Sequence, residues 1–97
     1  MEFFKESFEF EWDAGNVDKN WIKHRVSQEE CEEAFFDPHK RLLGESVALE
    51  DGEKRYLQLG RTSKNRLLFI VFTMRRTKIR VISARDLNHR EKKRYEK

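Results

Sequence analysis

The chain is poor in the residues that punctuate or staple small proteins: among 97 residues there are one cysteine, one proline and four glycines. A lone Cys31 allows no intrachain disulfide and no cysteine-based zinc site. His24, His39 and His89 lack the close spacing of metal ligands, so neither a metal nor another cofactor is expected. No apolar run approaches the roughly 20 residues that cross a bilayer. The start, with Glu2, Phe3, Phe4 and Glu6, is unlike a signal peptide, so the expected location is cytoplasmic with no membrane partner. Also missing are a glycine-rich phosphate loop, a Gly-x-Ser-x-Gly elbow and the carboxylate cluster of a two-metal nuclease.

Acidic residues are scarce in one part of the chain only. Residues 61 to 97 hold 13 Lys or Arg against 3 Asp or Glu, whereas the first 60 hold 8 against 15. The net charge of +3 therefore conceals an acidic half and a strongly basic half, and the basic half suits a polyanionic partner, nucleic acid first among them. Eight Phe, two Trp and two Tyr are too many aromatics for a solvated tail, so a folded, heavily charged single domain over residues 1 to 97 is expected.

Phe8, Phe10 and Trp12 alternate with Glu9, Glu11 and Asp13, the period of a half-buried strand. Asp13 caps a helix running to about His24, with Val17 and Trp21 as its buried stripe. Ser27 and Glu30 form a capping box with Val26 and Cys31 as the hydrophobic staple, and Cys31, Ala34 and Phe35 face the core until Asp37-Pro38 ends the helix. Leu42 and Leu43 precede a loop from Gly44 to Gly52 that holds a short strand at 46 to 49, and a second strand follows at 55 to 60. Leu67 to Thr73 is apolar on both faces and reads as a central strand; Asn65 before it tolerates a left-handed turn. Residues 79 to 84 return as its partner, with Ile79, Val81 and Ser83 on one face and Arg80, Ile82 and Ala84 on the other. Asn88 caps a polar terminal helix. The fold class is α+β, with helices on a small antiparallel sheet.

Arg80 stands in the middle of what reads as a central strand, where a guanidinium must be paired, desolvated or facing a cleft. An ion pair with a carboxylate of the first half is one account and phosphate binding is the other. Arg85 ends the same strand. Arg61 and Arg66 lie at one end of the hairpins and Arg75 and Arg76 at the other, so they cannot share one phosphate but suit an extended anion or a solvated rim. Lys23 and His24 close the first helix, either as cations favoured by its dipole or as a proton carrier beside a cation. His89 and Arg90 open the basic terminal helix, a solvated face or a phosphate-tracking arm. The chemistry compatible with this inventory is metal-free RNA cleavage: a base takes the 2′-hydroxyl proton, arginines stabilise the charged phosphorane, and an acid protonates the leaving 5′ oxygen.

Phe10-Glu11-Trp12-Asp13, Asn20, Lys23-His24, the helix ending Phe36-Asp37-Pro38, Gly60-Arg61, the apolar strand ending at Thr73, and Arg80-Val81-Ile82-Ser83-Ala84-Arg85 follow one another in an order that resembles the BrnT family of type II toxins. The resemblance implies a RelE-like fold, an endoribonuclease that inhibits translation, and neutralisation by a BrnA-like antitoxin with a ribbon-helix-helix region. It also implies a toxin dimer in a heterotetramer with that antitoxin, touching DNA only through it. Carried over as catalytic are Lys23, His24, Arg75, Arg80 and Arg85; Arg61, Arg66, Arg76 and either His89 or Arg90 are expected to bind RNA. Arg25 stands where the family usually has Gly after Lys-His, so either Arg25 takes the left-handed conformation at about 1 kcal/mol or the loop there differs. The first seven residues read as an extension. The rival functions are a non-catalytic nucleic-acid- or ribosome-binding module, in which the same arginines supply affinity alone, and a protein-interaction domain whose basic half receives an acidic segment.

Overall fold

The computed structural model describes residues 9–47 and 52–97. Their elements are α1 (Ala14–His24), α2 (Gln28–Phe35), β1 (Arg41–Val47), β2 (Lys54–Arg61), β3 (Leu67–Arg75), β4 (Lys78–Asp86) and α3 (His89–Glu96). The strands form one antiparallel sheet in the order β1-β2-β3-β4, so the α+β expectation holds. The strand expected at the start is shorter than its alternation suggests: Phe10 makes a single parallel bridge to Ile79. Glu11 N donates to Ile79 O and Ile79 N to Glu9 O, both at 2.8 Å. Phe8 of that strand and the expected extension of the first seven residues lie outside the described residues.

Asp13 caps α1 as expected, and Asn16 completes a reciprocal capping box with it. The predicted stripe is wrong, however. Val17 is half-buried and Trp21 is 48% exposed, whereas Asn16 and Asn20 are buried. The cause is the sheet order. β4 is an edge strand, not a central one, and its outward N–H and C=O groups need partners. Asn16 Nδ2 donates to Val81 O at 3.2 Å, and Asn20 Oδ1 accepts from Ala84 N at 2.9 Å. An asparagine side chain carries the same donor and acceptor as a peptide group. The polar face of α1 therefore continues the ladder that Phe10 begins.

The α2 signals hold. Ser27 and Glu30 exchange capping bonds, and Val26, Cys31, Ala34 and Phe35 are buried. Phe35 meets Phe72 edge-on at 5.0 Å and Phe10 at 5.3 Å. Gly60 lets α2 approach β2: an added Cβ would sit 2.6 Å from Ala34 O. Burial pushes the Cys31 thiol up to about 12, as befits a packed side chain.

Two strand expectations are corrected. The segment expected as a loop with a short strand at 46 to 49 is already β1 from Arg41 to Val47, with a register shift between Leu42 and Gly44, and positions 48 and 49 of the expected strand lie outside the described residues. That shift breaks the alternation by which the strand is read from sequence. The second shift, between Val71 and Phe72, leaves Ile82 as the extra residue of β4. Beyond it the faces swap, so Ile79, Val81 and Ala84 share the core side, while Arg80, Ser83 and Arg85 lie on the other.

One core cluster joins α2 to Leu68, Ile70 and Phe72 of β3. A smaller one, of Leu59, Leu87 and Tyr95, fastens α3 to the opposite face, with Leu67 and Phe69 packed against it. Tyr95 also donates to Asp37 Oδ2 at 2.6 Å, which accepts from Arg61 N at 2.9 Å. Burial and the bond to Asp37 raise Tyr95 to about 12. Burial alone would raise Asp37, yet the bonds from Tyr95, His39 N and Arg61 N hold it below the usual carboxylate range.

Candidate functional site

Among the described residues, the second face of the sheet is covered by α3 at one end only. Alternation puts Leu59, Phe69 and Arg85 in one cross-strand row under α3, then Leu57, Val71 and Ser83 in the next. A third row runs Arg80, Thr73, Arg55 and Ser46, since Thr73 pairs with Arg80, Phe72 with Tyr56, and Ser46 with Arg55. Arg75 and Lys78 close the face at the β3–β4 turn. The face thus offers a half-buried apolar floor between rows that carry guanidinium groups, an arrangement suited to the charged backbone and flat bases of a single-stranded nucleic acid.

Arg80 is 17% exposed and bonds Asp13 Oδ2 at 2.8 Å, so the carboxylate of the first half expected as its partner is the cap of α1. Asp13 is held below the usual carboxylate value by the Asn16 backbone N–H first and by Arg80 second. Beside this pair a 210 Å³ cleft opens between the start of α1 and β4, lined by Gly15, Asn16, Lys19, Arg80, Val81 and Ile82. Arg80 therefore has one side on an ion pair with an exposed partner and another toward the cleft. Arg75 is half exposed and reaches Glu53 at 3.4 Å. Arg76 sits exposed in the turn with a positive φ of 59°.

Arg85 lies over the Phe69 ring at 4.3 Å and grips Glu91 with two bonds of 2.8 and 2.9 Å. Those bonds raise Arg85 and lower Glu91. Arg66 has every nitrogen of its guanidinium engaged. It holds Asp86 with two bonds, contacts Glu30, and donates to Arg25 O at 2.7 Å and His24 O at 3.0 Å. The Arg66 bond depresses Asp86, burial opposes it, and the charges of Arg66, His24 and Lys92 add to the depression. Arg66 thus ties the end of α1 to α2 and β4, and Arg25 takes the expected left-handed cap at φ 55°.

Lys23 and His24 are exposed at the end of α1. The structure separates them from Arg80: α1 starts at the Arg80 partner Asp13, and its 11 residues span about 16 Å. Arg85 and its neighbour Asp86 point to opposite faces, and His24 acts on Asp86, so Arg85 and His24 also lie on different sides of β4. His89 and Arg90 are exposed in the first turn of α3. Arg61 lies at the far corner over the Tyr95 ring at 5.4 Å. A larger cleft there, of 350 Å³, is lined by Glu33, Phe36, Asp37, Pro38, Arg61, Thr62 and Ser63, and its two carboxylates make it a poor seat for a polyanion. The expected residues therefore form two groups, Arg75, Arg76 and Arg80 at the β3–β4 turn and the rest toward the opposite end.

Two side chains near Arg80 are absent from the sequence-derived set, Arg55 in its row and Lys19 in its cleft. The signal for Arg55 was parity: it alternates with Tyr56 and Gln58 and so belongs to the face away from α2.

Among the described residues no three His, Cys, Asp or Glu side chains cluster in a metal-binding group, and no helix is long and apolar enough to cross a membrane. No curated protein matches the chain. Residues 12–91 match a family described as the ribonuclease toxin, BrnT, of the type II toxin-antitoxin system, a span that takes in α1, the whole described sheet, and Arg80 with its Asp13 partner. The chain belongs to the BrnT family of ribonuclease toxins, with RNA as substrate and an antitoxin as partner.

Proposed function

We propose that this BrnT-family toxin is a metal-independent endoribonuclease that binds RNA along the open face of the sheet and inhibits translation in the cytoplasm. The observation that carries the reading is Arg80, a largely buried guanidinium on the open face whose one ion-pair partner among the described residues is an exposed carboxylate. An RNA phosphate arriving there exchanges a weak, solvent-screened pair for a charge-assisted one. Arg80 then stabilises charge building on a phosphorane, while Arg75 and Arg85 hold the neighbouring phosphates.

About 16 Å between the two ends of α1 is too long for one phosphate and suits a strand of RNA lying along β4. Lys23 and His24 stand where such a strand leaves the edge of the sheet, too far from Arg80 to exchange protons at the phosphate it holds, and in this reading they bind the departing backbone. The 2′ oxygen attacks phosphorus after losing its proton, the 5′ oxygen leaves with one, and the products are a 2′,3′-cyclic phosphate and a 5′-hydroxyl. Arg61, Arg76, His89 and Arg90 extend the basic surface, whereas Arg66 acts through the fold that it ties together. Neutralisation by a BrnA-like ribbon-helix-helix antitoxin, in a heterotetramer built on a toxin dimer, completes the reading and follows from the family resemblance.

The test is incubation of antitoxin-free protein with total RNA in EDTA beside an Arg80→Ala variant. Discrete fragments with 2′,3′-cyclic phosphate ends are expected from the wild type, formed at least about 100-fold more slowly by the variant. A stably folded, fully active Arg80→Ala protein overturns the role given to Arg80. RNA left intact by wild type, with or without ribosomes, favours the non-catalytic binding module.

A further inference from the structure

Arg55 is half-buried in β2, its Nε is buried without a hydrogen-bond partner, and it makes no ion pair among the described residues. Its situation differs from that of Arg66, Arg75, Arg80 and Arg85, each of which holds a carboxylate. A guanidinium Nε–H withdrawn from water with no acceptor weakens a fold, and such groups call for an explanation.

Register supplies one. Arg55 and Arg80 flank Thr73 from the two neighbouring strands on the uncovered face, so their backbones lie about 10 Å apart across two strand spacings. Two long side chains at that separation converge on a single anion above Thr73. The floor between them is neutral, because Thr73 is buried and gives its hydroxyl to Lys54 O at 2.8 Å.

We infer that Arg55 is a substrate-binding residue that grips the same RNA phosphodiester as Arg80 from the opposite strand. The inference rests on the reading of the open face as the RNA site and adds a residue that neither the family motifs nor the sequence pattern brought forward. A residue kept for a ligand at the fold's expense has a distinctive signature: removing its charge weakens binding and leaves stability equal or higher.

The experiment measures binding of a 2′-O-methyl RNA oligonucleotide, which cannot be cleaved through its 2′ oxygen, by fluorescence anisotropy at several salt concentrations. Full-length wild type is compared with Arg55→Met and Arg55→Lys, and each protein is melted by circular dichroism. Expected for Arg55→Met are a melting temperature at or above that of wild type, affinity about 10-fold weaker, and a log–log salt slope shallower by about 0.7, the value for one phosphate contact on a single strand. Arg55→Lys keeps the charge and restores the slope. Wild-type affinity and slope in Arg55→Met overturn the inference, as does a lower melting temperature, which makes Arg55 structural. If wild type itself does not bind RNA, the reading of the open face fails with it, so the two failures are distinguishable.

Discussion

The two ends of β4 use arginine in opposite ways. Near Asp86, Arg66 is bonded on every nitrogen and Arg85 is held by both oxygens of Glu91 and stacked on Phe69. Near Arg80, by contrast, one guanidinium has a single exposed carboxylate and Arg55 has none among the described residues. The first end engages its arginines within the fold, leaving Arg85 only part of its donors for a phosphate, and the second leaves them available. Residue type alone does not distinguish the two, since what separates a structural arginine from a ligand-binding one is how many of its five donors the fold itself satisfies.

The comparison breaks most readily at Arg66. Arg66→Ala leaves Glu30 and Asp86 without their partner and the carbonyls of His24 and Arg25 without a donor. Because these groups are partly solvated, a loss of about 2 to 3 kcal/mol in folding free energy is expected from urea denaturation. Stability within about 0.5 kcal/mol of wild type would show that this end is no more cemented than the other.

Asn20 sharpens the contrast from the side of α1. Asn20→Ala strips Ala84 N–H of its acceptor at a buried position, at an expected cost of about 1 to 2 kcal/mol. Hydrogen exchange should report it locally: the Ala84 amide loses protection relative to its neighbours in β4. Unchanged protection would mean that another group closes this edge.

The smallest effect is expected from acid. Asp86 and Glu91 are held below their ordinary values of 3.8 and 4.5 by Arg66 and Arg85 respectively. A carboxylate depressed in the folded state contributes stability in full above its unfolded value, and that contribution is lost as pH falls through the lower folded value. Stability should therefore decline as pH drops below about 4.5 and continue to decline below 3.8. Each partly exposed pair contributes no more than about 1 kcal/mol. The double variant Asp86→Asn, Glu91→Gln should flatten part of this decline in pH-dependent melting; a decline as steep as that of wild type removes these pairs as its source.

Much of the scaffold was legible because it is specified locally. A cap and its reciprocal partner lie three residues apart, so Asp13, Ser27 and Asn88 announce their helices within one turn of chain. Asn65 and Arg25 take the left-handed conformations expected for them for the same reason. The candidate site was legible only as a set of residue types. Arg80 and its need for a carboxylate could be read from the strand, yet the identity of Asp13 as partner and the separation of His24 from Arg80 depend on α1 lying along β4.

The sequence by itself determined the helix starts, the apolar centre of β3, the sorting of charge into an acidic and a basic half, and the motif order that places the chain in the BrnT family. These depend on neighbours within a few residues or on composition. Tertiary structure alone decided that β4 is an edge, that Asn16 and Asn20 rather than Val17 and Trp21 face it, and that one extra residue at Ile82 turns Ala84 inward. It also decided that Arg66 is fully bonded while the Arg55 Nε is left without a partner. The physical reason is common to all of them: a backbone or guanidinium donor is satisfied by whatever acceptor packing brings within about 3 Å, and the acceptors here come from segments 20 to 65 residues away.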